Sequence, residues 1–180
     1  MEKQDMNRTY FLKTDRIGFS KWKKDDLPLA ETLWGNPEVT KYICASGVFS
    51  HEDIAGRLEK ELDHLRCFGV QYWPIFELAT GSLIGCCGLR PYSESIYEIG
   101  FHLRPEFWRQ GYAIEAASAV IQMAFDDLHA EGLFAGHNPK NLVSGKVLAK
   151  LNFRYIRDEF YAPTGLYHPS YELKYSDLTK

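Results

Sequence analysis

Apolar residues recur along the chain at two spacings, and the alternation between them predicts most of the elements. Ile17 and Phe19 alternate with small or polar neighbours after Asp15-Arg16, which predicts a first strand. Asp25 and Asp26 are the acids favoured at a helix start, ahead of Leu27, Leu29, Ala30, Leu33 and Trp34. Gly35-Asn36-Pro37 ends that helix. Ser50, followed three positions later by Asp53, has the capping-box form. Ile54, Leu58, Leu62 and Leu65 then mark the single apolar stripe of a second helix, closed by Gly69.

Three strand-like runs follow, over residues 72–78, 83–89 and 97–103, with turns at 79–82 and 91–95. Pro105 starts a break. From Tyr112 or Ala113 to about residue 128 the pattern is helical, rich in alanine and free of proline. Residues 133–135 read as a short strand, Asn138-Pro139 as a turn and 142–151 as another helix. Residues 153–162 and 171–175 form a last strand pair, joined through Pro163, Gly165 and Pro169. The order β-α-α-β-β-β-α-β-α-β-β is that of a mixed α/β domain. With no repeat, linker or low-complexity segment, residues 1–180 read as one domain.

Composition narrows the function classes. A net charge of -3 points to neither a nucleic-acid nor an acidic-membrane partner. No apolar run approaches the roughly 20 residues that span a bilayer. Residues 1–8 are polar, without an apolar signal core, and the expectation is a cytoplasmic protein. Cys44, Cys67, Cys86 and Cys87 have no CxxC spacing, so no metal site is expected, only reduced and mostly buried thiols. Cys86 and Cys87, if on a strand, face opposite ways.

The informative stretch is 104–115, RPEFWRQGYAIE, where a strand ends, a short basic loop follows and a long helix begins. The first amide hydrogens of a helix lack internal partners, and the helix dipole adds partial positive charge there. Together they suit an anion, phosphate above all. Gly111 lets the backbone approach it, Arg109 adds a permanent charge, and Tyr112 and Ala113 supply further amides. The loop is neither a Walker sequence nor GxGxxG. An ordinary strand-to-helix turn also fits these residues, as does a nucleotide site.

The run Tyr97-Glu98-Ile99-Gly100-Phe101, then Trp108-Arg109-Gln110-Gly111-Tyr112-Ala113 and Glu115-Ala116, resembles the coenzyme-A-binding segment of GNAT acetyltransferases, and within them the Rim-type branch of ribosomal-protein N-terminal acetyltransferases. Trp108 stands where the superfamily usually has Arg or Gln. A second match is Asn141-Leu142-Val143-Ser144, then residues 147–153, with Asn152 replacing the usual glycine; Thr14-Asp15-Arg16-Ile17 resembles the branch's opening strand. The resemblance covers about residues 10–176.

It implies a GNAT fold, with a central, mostly antiparallel, V-split sheet flanked by helices, and acetyl-coenzyme A as cosubstrate. It places the pyrophosphate on the amides of Arg109, Gln110, Gly111, Tyr112 and Ala113, and the pantetheine arm along the backbone of Phe101, His102 and Leu103. Asn141 would bond the arm, or cap its helix, or both. Many members carry a tyrosine acid where this chain has Leu148; Ser144 would then protonate the thiolate, or only contact the cosubstrate. Glu98 would be the general base, or a structural carboxylate, with His137 as rival base. Glu115 would stabilise the first helical turn, and Lys146 and Lys150 would meet the adenosine phosphate or simply face solvent. Trp34, Trp73 and Tyr92 are pocket candidates that also suit plain core.

Direct attack by a primary amine is the implied reaction, with backbone amides steadying the oxyanion. No cysteine has a histidine partner in sequence, which disfavours an acyl-enzyme. The acceptor is a protein N-terminus or a small molecule such as an antibiotic or polyamine, and a module that binds acetyl-coenzyme A without turnover is the other class. Residues 36–50 and 160–170 are the expected acceptor loops, and a homodimer is compatible with the resemblance.

Overall fold

The computed structural model describes residues 8–178. Residues 1–7, which carry most of the polar start noted above, and residues 179–180 lie outside the described residues. One sheet holds β1 (Leu12–Lys13), β2 (Ile17–Phe19), β3 (Tyr72–Glu77), β4 (Leu83–Ser93), β5 (Ile96–Leu103), β6 (Gly132–Gly136), β7 (Arg154–Tyr161) and β8 (Leu166–Lys174). Its spatial order is β1-β2-β3-β4-β5-β6-β8-β7. Every neighbouring pair is antiparallel except β5 with β6. The helices are α1 (Leu27–Trp34), α2 (Pro37–Thr40), α3 (His51–Phe68), α4 (Tyr112–Asp126), α5 (Leu142–Lys150) and α6 (Tyr175–Leu178).

The period-two pattern of the strands divides the core between the two faces. On one face Ile75, Leu89 and Leu133 pack with Ala116, Val120 and Ala124 of α4 and Leu148 of α5. On the other, Tyr72, Phe76 and Leu83 pack with Leu33 and Trp34 of α1 and Ile54 and Leu58 of α3. Cys86 and Cys87 fall into opposite clusters, as their adjacency on a strand demands. The capping box of α3 forms as the sequence predicts. Ser50 Oγ accepts from the Asp53 amide at 3.1 Å, and the Asp53 carboxylate accepts from the Ser50 amide at 2.8 Å. Such a cap is worth about 1 kcal/mol.

Several boundaries differ from expectation. β4 continues to Ser93, because Arg90 and Pro91 pair with Glu98 and Tyr97, so the turn shrinks to two residues. β8 begins at Leu166, and Pro169 lies inside it. That is tolerable because β6 pairs with β8 only as far as Ser170, and the Pro169 carbonyl points to that open side, accepting from the His137 amide at 3.4 Å. The missing Pro169 amide hydrogen therefore costs no ladder bond. β1, α2 and α6 are too short to show a period. The thiols are also less buried than expected: Cys86 and Cys87 are buried, but Cys44 is half-buried and Cys67 exposed, and all four are free.

Candidate active site

β5 and β6 pair only through Ile96, Tyr97 and Glu98 with Gly132, Leu133 and Phe134. Past Glu98 the sheet divides. β5 stays with β4 as far as Leu103, whereas β6 stays with β8 as far as Gly136. Residues 99–103 of β5 thus turn an edge without a strand partner into the gap, and such an edge accepts an extended ligand. Of the predicted arm-binding backbone, Phe101 and His102 lie on this edge, while the Leu103 carbonyl already accepts from the Trp108 indole at 2.7 Å.

Beyond β5 the chain makes a 3-10 turn over Pro105–Phe107 and enters the predicted anion loop. Arg109 and Gly111 both have left-handed backbones, at φ 60° and 85°. A non-glycine residue held there stores about 1–3 kcal/mol, a strain typical of functional loops. Gly111 caps α4, no side chain accepts from the helix start, and the Glu115 amide is the first to return a bond, to the Gly111 carbonyl at 3.0 Å. The amides of residues 112–114 are thereby left for a ligand. The Tyr112 side chain is buried and anchors the turn, donating its hydroxyl to Glu77 and packing edge-on against Phe107. Glu115, expected to steady the first helical turn, accepts from Thr14 and Arg16, which lie outside the helix. Burial alone would raise its pKa, but hydrogen bonds from Thr14 and Arg16 outweigh that and hold the carboxyl below its ordinary value.

Glu98 stands where the sheet divides, half-buried, and Tyr72 donates its hydroxyl to the Glu98 carboxylate at 3.3 Å. The Tyr72 ring lies across Gly100, where an added Cβ would sit 2.3 Å from the ring. This gives Gly100, two positions after Glu98, a physical reason. Above the ring, 4.1 Å from its centre, lies the Arg90 guanidinium. Arg90 is paired with the fully buried Glu61, whose second oxygen accepts from the Tyr72 amide at 2.9 Å. Arg57 flanks the same carboxylate at 3.9 Å.

The His102 side chain completes this cluster, accepting from the Trp34 indole at 3.3 Å through Nδ1. Cys86 Sγ lies 3.5 Å from the same nitrogen. The sequence did not foretell this cysteine–histidine pair, yet it is a poor nucleophile. Burial first, then the charge of Glu61, pushes the Cys86 thiol up to about 12. Burial, reinforced by Arg57 and Arg90, holds His102 well below its ordinary value. The thiol remains protonated and the imidazole neutral at pH 7.

On the β6 side of the gap, Asn141 caps α5 by accepting from the Ser144 amide at 3.2 Å. Ser144 is half-buried in the first turn, and Leu148 is buried core. Lys146 and Lys150 face solvent. His137 Nδ1 donates to the Asn138 carbonyl at 2.8 Å, leaving Nε2 to accept from the Tyr171 hydroxyl at 3.4 Å. Both groups press against α5 at Gly145, where a Cβ would meet His137 Nε2 at 3.0 Å and the Tyr171 oxygen at 3.3 Å. Tyr72, Arg90, Glu61 and Tyr171 went unforeseen because each reaches the site from a distant element. Trp34 and Trp73 are core, and Tyr92 is exposed, stacked on Phe134. Residues 39–49 cover the α1 cluster through Val39, Ile43 and Phe49, and the β7–β8 hairpin exposes Phe160, Tyr161 and Tyr167. Among the described residues no group of three or more His, Cys, Asp and Glu is placed to hold a metal, and no helix is long and apolar enough to cross a membrane.

Residues 16–154 match the family model of the acetyltransferase (GNAT) domain. An uncharacterized N-acetyltransferase of Bacillus licheniformis is 29% identical over 146 residues, covering 79% of this chain and 82% of its own. One from Bacillus subtilis is 28% identical over 142 residues, covering 78% and 81%. Among solved structures, a GNAT-family acetyltransferase from Bacillus anthracis superposes with a TM-score of 0.77 at 24% identity, over 91% of this chain and 97% of that one. Mycobacterium smegmatis RimJ in complex with CoA-disulfide gives 0.77 at 13% identity, over 91% and 84%. The ribosomal-protein-S5-alanine acetyltransferase of Vibrio fischeri gives 0.75 at 16%, over 92% and 97%. The split sheet, the helix start without a side-chain cap that follows it and these matches together make the chain an acyltransferase that belongs to the GNAT acetyltransferase family.

Proposed function

We propose that this enzyme transfers acetyl from acetyl-coenzyme A to a primary amine by direct attack, in the manner of the Rim-type branch. The observation that carries the reading is the placement of Glu98 at the point where β5 leaves β6, with the free edge of β5 running from there toward the open start of α4. Glu98 and Leu103 lie five positions apart along the strand, about 17 Å. The arrangement fits the cosubstrate: the amides of residues 109–114 suit a pyrophosphate, and the edge at Phe101 and His102 suits the amides of the pantetheine arm. Acetyl-coenzyme A supplies the thioester carbonyl that the amine attacks.

The residues of the chain supply the proton chemistry. An alkyl ammonium, with a pKa near 10, must lose a proton before it attacks, and Glu98 is the carboxylate positioned to take it. His137 is less suited, since both its ring nitrogens are engaged in the corner between β6, α5 and β8. Ser144, in the first turn of α5, is the donor to the departing sulfur; Tyr171, beside Gly145, is a second hydroxyl at that corner. The acceptor, a protein N-terminus or a small-molecule amine, enters between residues 36–50 and the β7–β8 hairpin. The buried Leu148 is the one observation that favours a binding module without turnover.

Thermal unfolding with acetyl-coenzyme A tests the reading. Ligand at about 100 times its dissociation constant adds roughly 2.7 kcal/mol to stability. Gly111→Glu should abolish that gain, because it places a negative charge in the anion loop and an L-residue at φ 85°. An added Cβ meets only ordinary contact, 3.5 Å from Arg16, so the obstacle is conformation and charge rather than collision. Turnover of peptide and polyamine acceptors, lost in Glu98→Gln, separates the enzyme from the module. Absence of any shift in the wild type would end the acetyl-coenzyme A reading.

A further inference from the structure

The Thr14-Asp15-Arg16 segment before β2 takes no part in the proton chemistry described so far, yet Thr14 and Arg16 reach Gln110 and Glu115 on either side of Gly111. Arg16 Nη1 donates to the Gln110 carbonyl at 3.1 Å, and Nε donates to Glu115 Oε2 at 2.7 Å. Its amide and the Thr14 hydroxyl both donate to Glu115 Oε1, at 3.1 and 2.6 Å. The guanidinium also lies 4.1 Å from the centre of the Tyr112 ring. One side chain thus grips three residues on both sides of Gly111, across more than 90 positions of sequence.

The grip has a consequence for an anion. A loop presents amide hydrogens to a ligand only if its carbonyls point elsewhere, because a carbonyl oxygen facing a phosphate repels it. The Gln110 carbonyl is the group next to Gly111 that this requirement falls on, and Arg16 holds it. Glu115 adds a formal negative charge one turn inside the helix, and Arg16 neutralises it at 2.6 Å. The Arg16 side chain is 43% exposed, so its ion pair adds little to stability. Its effect falls on the shape and charge of the loop.

We propose that Arg16 is a positioning residue for cosubstrate binding: it turns the Gln110 carbonyl away from the anion site and offsets Glu115, leaving the amides of residues 112–114 to the pyrophosphate. The inference rests on the reading of that loop as the pyrophosphate site. Calorimetric titration of the full chain with coenzyme A and with dephospho-coenzyme A, which keeps the pyrophosphate but lacks the ribose 3′-phosphate, tests it. Arg16→Gln should weaken both by about tenfold, the scale of one charge-assisted hydrogen bond. Unfolding of the unliganded variant should stay near that of the wild type. Arg16→Gln/Glu115→Gln, which removes both charges, should remain weakened, because the Gln110 carbonyl is still released. Unchanged affinity in Arg16→Gln overturns the proposal, as does recovery to wild type in the double variant. A loss seen with coenzyme A alone would make Arg16 a ligand of the 3′-phosphate instead. If folded wild type binds neither compound, the loop reading itself fails, and the role of Arg16 falls with it.

Discussion

Gly100 and Tyr72 account for each other. The ring occupies the space a Cβ would need, and that position brings the hydroxyl to Glu98. Glu98 and Gly100 could be singled out from the sequence as part of a motif, but Tyr72 could not, since only the β3–β4–β5 register brings it there. His102 shows the same limit. Its backbone was expected at the gap, and its side chain proves to be packed among Trp34, Tyr72 and Cys86 in a half-buried position. That burial has a measurable consequence. A histidine whose folded pKa is depressed stays neutral in the native state, while the unfolded chain takes up a proton below about 6.5. Its contribution to stability is intact above that pH and is lost as the pH falls below it, at up to about 1.4 kcal/mol per unit. Thermal unfolding between pH 5 and 8 should show this slope. His102→Gln, which keeps an acceptor for the Trp34 indole, should flatten most of it. The remainder comes from His64 and His168, which burial shifts in the same direction.

Among elements, α3 does more than cover the sheet. Its apolar stripe and both caps follow from the residues themselves, and the helix forms over His51–Phe68 as its pattern predicts. Its role does not follow. Glu61 lies on the same helix face as Ile54 and Leu58 and is fully buried, joined to Arg90 of β4 and the amide of Tyr72 in β3. Removing the carboxylate leaves two guanidiniums in low dielectric without their counter-charge. Glu61→Gln should therefore cost about 3–5 kcal/mol in urea unfolding. A cost below about 1 kcal/mol would mean that water reaches Arg57 and Arg90 freely. β4 and β8 taught the opposite lesson. Their ends carry proline and lack alternation, so only pairing with a neighbouring strand reveals that they continue.

At the scale of the molecule, the gap between β5 and β6 organises everything else. If the pantetheine arm lies along the free edge of β5, adding acetyl-coenzyme A should slow hydrogen exchange at residues 99–103 and 109–114. The strands of the β7–β8 hairpin should be unaffected. Slowing confined to 109–114 would leave the loop assignment standing and remove the arm from the edge. By itself the sequence determined the order of the main elements, the capped α3 and the loop around Gly111. These depend on residues close together in the chain, where periodicity, caps and glycine act locally. Tertiary structure alone decided where β5 and β6 part, which hydroxyl meets Glu98, that Cys86 and His102 become neighbours, and that Arg16 reaches the start of α4. Each of these is set by strand register and by packing between distant segments, and no short-range pattern encodes them.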